Sequence, residues 1–484
     1  MASDSRIPVT VAEGDGIGPE ITAATRRIVD AAGAAIAWVP ITVGNAAYLN
    51  GEASGVPEAA WQAIREHRVM LKGPVLTPQG GGYKSVNVTL RKSLGLFANV
   101  RETRALAPYV PTRHPGMDVV IVRENEEDLY AGIEHRQTAE VYQSLKLISR
   151  PGTERIVRYA FAYARAYGRS KVTCMTKDNI MKLTDGTFHK VFDEVALEYP
   201  EIAAEHMIVD IGAAKLADTP EDFDVVVTLN LYGDVLSDIT AQIAGSVGLG
   251  GSANVGESVA MFEAIHGTAP DIAGRGIANP SGLLMAATQM LVHVGQPEVA
   301  ERIANAWLRT LEDGVHTGDV YRTGTSRERV GTESFADAVI ERLGEMPRQL
   351  TPVHYREADL QVHLSPPVPV TKVLRGVDVF LDWSEGDRAP DVIGDRLAAT
   401  AAAAGWTLKM ITNRGVRVYP DGFPETHCTD HWRCRLFPTD GAPARFTQVL
   451  ALLAAVDGAG LEVIKTEHLY HFDGEPGYSL AQGE

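Results

Sequence analysis

Cysteine is almost absent from this chain. Cys174, Cys428 and Cys434 are the only three in 484 residues. So few thiols, and an odd number of them, exclude a disulfide framework and suit a reducing compartment, so a cytoplasmic location is expected. Long apolar runs are missing too. No stretch of roughly 18 uninterrupted apolar residues occurs, which excludes a conventional membrane-spanning helix. The N-terminus runs from Arg6 straight into an apolar segment with no basic region ahead of it, unlike a secretory signal. Positive charge is in deficit: 45 Lys and Arg against 62 Asp and Glu leave a formal net charge of −17. Such a surface repels nucleic acid and anionic membranes. An anionic ligand must therefore be drawn by a local basic cluster.

What is present is an ordinary globular composition, 45% hydrophobic and 22% charged, in a chain long enough for two to four domains. Ile7–Ala12 reads as a buried strand. Pro19–Ala32 follows with Ile21, Ala24, Ile28 and Ala31 at helical spacing. Strand-like Val69–Lys72, Val119–Val122, Lys171–Met175 and Val225–Leu229 then alternate with helical stretches, which predicts an α/β architecture with much parallel pairing. Pro352 to Val370 holds Pro352, Pro366, Pro367 and Pro369 without helical periodicity and reads as a linker. Beyond it come strand Gly376–Leu381, helix Ile393–Ala404, strands Thr407–Ile411 and Trp432–Phe437, helix Phe446–Val456 and strand Leu461–Lys465. This β-α-β-β-α-β order is that of a ferredoxin-like unit.

Several segments carry chemistry. Gly14-Asp15-Gly16-Ile17-Gly18 lies between a strand and a helix, but its third glycine comes too early for a dinucleotide fingerprint, so it reads as a tight turn. In Ser85-Val86-Asn87-Val88-Thr89-Leu90-Arg91, a helix would put Asn87 and Arg91 on one face, with Ser85 at an anion-favouring N-terminus. Arg101 and Arg123 follow. Three guanidinium groups and a helix start suit a ligand with several carboxylates. In Asn230-Leu231-Tyr232-Gly233-Asp234-Val235-Leu236-Ser237-Asp238, Asp234 and Asp238 are one helical turn apart, and two hard carboxylates suit Mg2+ or Mn2+. His427-Cys428-x-x-His431-x-x-Cys434 has the residue types of a zinc site. Its spacing is unusual, however, and strand alternation would throw the side chains to opposite faces, so a packed strand with an adjoining turn is the preferred reading.

Ser85-x-Asn87-x-x-x-Arg91, Arg101, Arg123-Glu124-Asn125 through Tyr130-Ala131-Gly132, and the Asn230–Asp238 segment together resemble the isocitrate dehydrogenases, in particular the longer bacterial form with an extra C-terminal domain. The resemblance implies the isocitrate/isopropylmalate dehydrogenase-like two-domain α/β fold, not a Rossmann fold, plus a C-terminal α+β ferredoxin-like domain. It divides the chain into a large cofactor-binding domain (1–105 and 255–346), a small domain with a dimer clasp and catalytic residues (106–254), a linker (347–371) and the C-terminal domain (372–484). It implies the oxidative decarboxylation of isocitrate to 2-oxoglutarate and CO2, as in the tricarboxylic acid cycle. Ser85, Asn87, Arg91, Arg101, Arg123, Tyr130 and Lys177 would bind substrate. Lys177 would accept the hydroxyl proton and Tyr130 would protonate carbon after CO2 departs. Asp210, Asp234 and Asp238 would hold Mg2+ or Mn2+. In the family, Lys177 and Asp210 reach the site of a neighbouring subunit, which implies a homodimer or higher oligomer.

Glu263-Ala264-Ile265-His266-Gly267-Thr268-Ala269-Pro270-Asp271-Ile272 resembles the family's adenosine loop. With Thr77, Ala278 and Asn279, the residues Glu263, His266, Gly267, Thr268, Ala269, Asp271 and Ile272 are the expected cofactor contacts. NADP-dependent relatives place lysine then tyrosine at the positions of Asp271 and Ile272. An acidic Asp271 can accept the ribose hydroxyls and repel a 2′-phosphate, so the expected cofactor is NAD, with Arg275 a nearby cation that favours some use of NADP. Homoisocitrate dehydrogenase is the alternative within the class, opposed by Ser85 and Asn87. A regulatory scaffold with a decayed active site is the alternative outside it, opposed by intact Tyr130, Lys177, Asp210, Asp234 and Asp238.

Overall fold

The computed structural model describes residues 6–77, 84–356, 360 and 362–480. Two compact units divide the chain: Met1–Ala131 with Leu147–Leu364, and Gly132–Lys146 with Ser365–Glu484. No helix among the described residues is long and apolar enough to cross a membrane.

The first unit is built on one ten-stranded sheet, in the order Ile36–Ile41, Ile7–Ala12, Val69–Lys72, Ala260–Ala264, Gly251–Val255, Ala98–Arg104, Asp118–Glu124, Val225–Thr228, Lys171–Thr176 and Ala203–Ile208. Both flanks pair in parallel, whereas Gly251–Val255 and Ala98–Arg104 join them through antiparallel pairing. The parallel strands read as continuous apolar runs because helices cover both their faces, so that every residue of Val225–Thr228 and Val69–Lys72 is buried. The expected α/β class with substantial parallel pairing is what forms. The antiparallel seam at the centre went unseen, because Ala98–Arg104 holds three charged residues and breaks the alternation by which a strand is read.

Local signals place the elements that matter for chemistry. Ser85 caps helix Val86–Ser93, its Oγ accepting from the Val88 amide at 3.5 Å. Helix Asn230–Ala244 begins directly after the buried strand Val225–Thr228 and carries Asp234 and Asp238 on adjacent turns. The early glycine turn serves close approach: Ile17 donates its amide to Thr268 O at 2.9 Å, and a Cβ on Gly16 would lie 2.0 Å from that oxygen. The turn therefore supports the loop that follows strand Ala260–Ala264.

The second unit is an antiparallel sheet carrying two helices, Pro390–Ala403 and Phe446–Gly458. Its four main strands lie in the order Trp406–Asn413, His431–Pro438, Lys372–Asp382, Glu462–Phe472, all antiparallel, which is the ferredoxin-like arrangement. Two short edge strands, Val416–Tyr419 and Glu475–Pro476, extend it. Strand His431–Pro438 alternates: Trp432, Cys434 and Leu436 enter the core, while His431 is half-buried on the other face. Cys434 is thus a core residue, in line with the packed-strand reading of the His/Cys segment. The hairpin of Glu134–Arg136 and Tyr142–Ser144 belongs to this unit. Thr138 Oγ1 donates to Asp430 Oδ1 at 2.5 Å, and Arg388 grips Glu140 at 2.7 Å. Between Glu341 and Lys372 the described residues form neither helix nor strand, and residues 357–359 and 361 of the expected linker lie outside the described set.

Candidate active site

Arg101 and Arg123 reach the site from neighbouring strands, Ala98–Arg104 and Asp118–Glu124, and are buried to 5% and 1% exposure. Nothing but charged partners makes such burial tolerable. Arg101 donates through Nη1 to Ser237 Oγ at 2.6 Å and stands 3.4 Å from both Asp234 Oδ1 and Asp238 Oδ1. Arg123 forks onto Asn230 Oδ1 at 3.0 and 2.8 Å and donates a further bond to Asp234 Oδ1. Gly233 makes this possible, since a Cβ there would fall 2.5 Å from Arg123 Cγ. The glycine of the Asn230–Asp238 segment is therefore the notch through which Arg123 passes.

Tyr130 donates from its hydroxyl to Asp234 Oδ2 at 2.6 Å, with the Arg123 guanidinium 4.8 Å from its ring centre. Burial, reinforced by Asp234, holds the Tyr130 hydroxyl above its ordinary range against the opposing charge of Arg123. Burial disfavours the Asp234 carboxylate, but Arg123, then Arg101 and the Tyr130 hydrogen bond, outweigh it and hold its pKa low. Asp238 moves the other way: burial raises it, Arg101 opposes, and the neighbouring Asp234 adds repulsion. Burial also pulls Arg123 down to about 10, aided by repulsion from Arg101 and Arg91. The guanidinium remains charged at neutral pH, and the crowding of three arginines leaves unmet demand for anions.

Arg91, on the helix that Ser85 caps, donates through Nη2 to Glu263 Oε1 at 2.8 Å; Glu263 Oε2 lies 2.7 Å from the fully buried Lys72. Asn254 adds a bond to Glu263 Oε1 at 2.9 Å. Burial opposes charge on Glu263, yet Lys72 and then Arg91 hold it well below the usual carboxylate range. Asn87 Oδ1 and Arg91 Nε are buried without a hydrogen-bond partner among the described residues, so the start of this helix has polar capacity left for a ligand. Thr77 Oγ1 stands 3.1 Å from Ser85 Oγ at the same place.

Lys177 follows strand Lys171–Thr176, its Nζ 2.6 Å from Asp210 Oδ1 in the first turn of helix Val209–Asp218. Its backbone amide is fixed by the buried carboxylate of Asp185 at 2.7 Å, which also accepts from the Tyr232 hydroxyl at 3.1 Å. Among the described residues of one chain, Asp210 does not come within 4.8 Å of both Asp234 and Asp238. Asp234 and Asp238 are brought together, whereas Asp210 is grouped with Lys177.

The adenosine-type loop borders a cleft of about 770 Å3 lined by His266, Gly267, Ala269, Ile272, Ala278 and Asn279, among others. His266 Nε2 is buried and unpartnered, and burial keeps the ring below its ordinary pKa and thus neutral, as an apolar stacking partner requires. Asn279 is held by Asp319, which accepts from its Nδ2 at 3.0 Å. Two cations line the cleft, Arg275 from the loop and Arg329 from strand Glu328–Val330. Asp271 is exposed on the turn and does not contribute to the lining.

Lys72, Asn254, Asp185, Asp319 and Arg329 were not picked out as site residues from the sequence. Asn230 and Ser237 lay inside the quoted segment and could have been, because a buried arginine beside a helix start needs acceptors. For the others no local pattern exists.

A parallel-flanked sheet that sets buried arginines against a carboxylate pair, beside a cleft of nucleotide size, is an arrangement suited to a polyanionic ligand next to a nucleotide. The chain belongs to the isocitrate/isopropylmalate dehydrogenase family, which residues 8–339 match; residues 372–484 match the C-terminal domain of bacterial isocitrate dehydrogenase. It is 50% identical to isocitrate dehydrogenase [NADP] of Rickettsia bellii over 99% of both chains. It is 47% identical to isocitrate dehydrogenase [NADP] of Thermus thermophilus, covering 100% of this chain and 97% of the other. The crystal structure of TT0538 protein from Thermus thermophilus superposes with a TM-score of 0.93 at 46% identity, covering 100% and 97% of the two chains. These full-length relatives overturn the expectation of NAD, which made the function NAD-dependent and rested on Asp271. The structure supplies a physical reason. Asp271 stands outside the cleft lining, while Arg275 and Arg329 are part of it against the single carboxylate of Asp319, so cations outnumber anions along the cleft.

Proposed function

We propose that the chain catalyses the NADP-linked oxidative decarboxylation of isocitrate to 2-oxoglutarate and CO2, with Mg2+ or Mn2+ bound at Asp234 and Asp238. The observation that carries this reading is the convergence of buried Arg101 and Arg123 with Tyr130 on Asp234. Charge supports it. Lys72, Arg91, Arg101 and Arg123 face Glu263, Asp234 and Asp238, leaving one positive charge in excess. A divalent cation and a substrate trianion together bring one negative charge, so the loaded site is neutral. The donor set fits such an ion. Asp234 stays ionised, both carboxylates sit on one helical face, and hard oxygen ligands select Mg2+ or Mn2+. When bound, the ion supplies Lewis-acid polarisation of substrate oxygens, and the nicotinamide accepts the hydride.

The protein's own groups do the rest. Arg91, Arg101 and Arg123 pin carboxylates through charge-assisted forks, with Ser85 and Asn87 at the helix start for the remaining one. Tyr130 retains its hydroxyl proton and so is equipped to deliver it to carbon after CO2 leaves. Lys177 is the base for the hydroxyl proton, and Asp185 sets its backbone. In this reading Lys177 and Asp210 serve the site of a second copy of the chain, which makes a homodimer or larger oligomer the working form. The reading is supported by Asp210 pairing with Lys177 rather than joining Asp234 and Asp238 within the single chain. In the cofactor cleft, His266 stacks on the base, Asn279 binds it, and Arg275 with Arg329 take the 2′-phosphate.

Parallel assays of isocitrate, homoisocitrate and 3-isopropylmalate, each with NADP and NAD and with Mg2+ or Mn2+, test the proposal. Isocitrate with NADP is the expected best combination. A higher kcat/KM with either other acid, or no turnover at all, would overturn it.

A further inference from the structure

Lys177 opens a loop that closes on itself. Its amide donates to Oδ2 of the fully buried Asp185 at 2.7 Å, and its carbonyl accepts from the amides of Ile180 and Met181 at 3.0 and 2.9 Å. Both polar groups of its backbone are committed, so the direction in which its side chain leaves is set by the loop as a whole. The loop is tethered from outside by Tyr232, whose hydroxyl donates to the same Asp185 Oδ2 at 3.1 Å. Hydrogen bonds to a buried carboxylate are among the strong ones.

Tyr232 belongs to helix Asn230–Ala244, two residues before Asp234. At about 100° per residue, the two side chains leave that helix roughly 200° apart. Asp234 accordingly meets Arg101, Arg123 and Tyr130, whereas Tyr232 meets Asp185. The Tyr232 ring is partly buried against the core, and burial, then Asp185, hold its hydroxyl above the ordinary tyrosine range, so it stays a donor. One helix thus carries a metal-type carboxylate on one face and the tether of Lys177 on the other.

We propose that Tyr232, acting through Asp185, is a positioning residue for Lys177, so that the helix holding Asp234 in one copy of the chain also aims the base delivered to the site of a second copy. The inference rests on the reading that Lys177 serves a neighbouring copy, and it adds the link by which the two sites are coupled. Because Tyr232 acts through another residue, losing its hydroxyl costs rate and not substrate affinity. A reacting group misplaced by about 1 Å loses on the order of 10^2-fold in rate.

Tyr232→Phe keeps the ring and deletes the tether. In the full-length enzyme it should lower kcat by about 10- to 100-fold and leave KM for isocitrate within about twofold. Mixed oligomers locate the effect. Two differently tagged copies, one Lys177→Met and the other Asp234→Asn, are co-expressed and purified through both tags. Either copy by itself should be inactive, and the mixture should recover activity at sites that combine Asp234 of the first copy with Lys177 of the second. Tyr232→Phe is then added to one copy at a time, so that any loss of fold is common to both mixtures. Activity should fall at least about fivefold further when the substitution is in the Asp234→Asn copy, which donates the lysine, than when it is in the Lys177→Met copy. Equal falls, an effect on KM in place of kcat, or no effect would overturn the positioning role while the sharing of sites stood. No recovery on mixing would overturn the sharing itself, and the inference with it.

Discussion

Glu263→Gln tests the electrostatic frame of the site most directly. The carboxylate is 4% exposed and bridges Lys72 at 2.7 Å and Arg91 at 2.8 Å. Glutamine keeps the shape but removes the charge, so two buried cations lose their counter-ion. Breaking a buried pair in this way costs about 3–5 kcal/mol. Lys72→Met on its own strands Glu263 with Arg91 only, while the double variant Lys72→Met/Glu263→Gln removes one charge of each sign. Its loss should fall short of the sum of the singles by about 1–3 kcal/mol, the coupling of residues in one ion network. Kinetics separate two roles for the same carboxylate. If Glu263 positions Arg91, KM for isocitrate rises, by about 10- to 100-fold for one charge-assisted bond of roughly 1.5–3 kcal/mol, and KM for NADP barely moves. If it touches the nicotinamide cofactor, as the family resemblance implies, the pattern inverts. Thermal unfolding of the four proteins and the two KM values suffice. Additive losses, or an increase confined to KM for NADP, would refute the argument that this ion network exists to hold Arg91.

Tyr130→Phe should lower kcat by about 10^2- to 10^4-fold with a smaller change in KM for isocitrate, because it removes a proton donor and leaves the arginines in place; steady-state rates check this. Arg275→Ala combined with Arg329→Ala should raise KM for NADP by about tenfold or more while altering KM for isocitrate little, read in the same assay. Glu124 gives a pH prediction. Burial, against the amide of Glu126, pushes its carboxyl up from an ordinary 4.5 to about 7. The folded form therefore holds this proton more tightly than the unfolded chain. Its contribution is full below about pH 4.5 and is lost as pH rises through about 7, a change of about 3 kcal/mol. Glu124→Gln should flatten that part of the profile of unfolding temperature against pH, and an unchanged slope would contradict it. Asp238→Asn should raise the Mn2+ concentration needed for half-maximal rate, and an unaltered requirement would remove Asp238 from the metal site.

Whatever depends on nearest neighbours along the chain was readable without a structure. Buried strands such as Ile7–Ala12 and Val69–Lys72 announced themselves as short apolar runs, and Ser85 marked a helix start because a hydroxyl there satisfies a free amide. Asp234 and Asp238 had to share a helical face once Asn230–Ala244 was helical, and the C-terminal strand and helix order already matched its sheet. Encounters between distant segments were decided by packing alone. Glu263 meets Lys72 because strand Ala260–Ala264 pairs with Val69–Lys72, and Arg123 reaches Asp234 because Gly233 leaves room. The same distinction bears on the proposed cofactor. Asp271 was visible in its motif, but only tertiary structure could leave it outside the cleft lining and bring Arg329, nearly sixty residues downstream, into it. Periodicity reports which face a residue occupies, whereas the sign of the charge at a binding site is summed over every segment that folds against it.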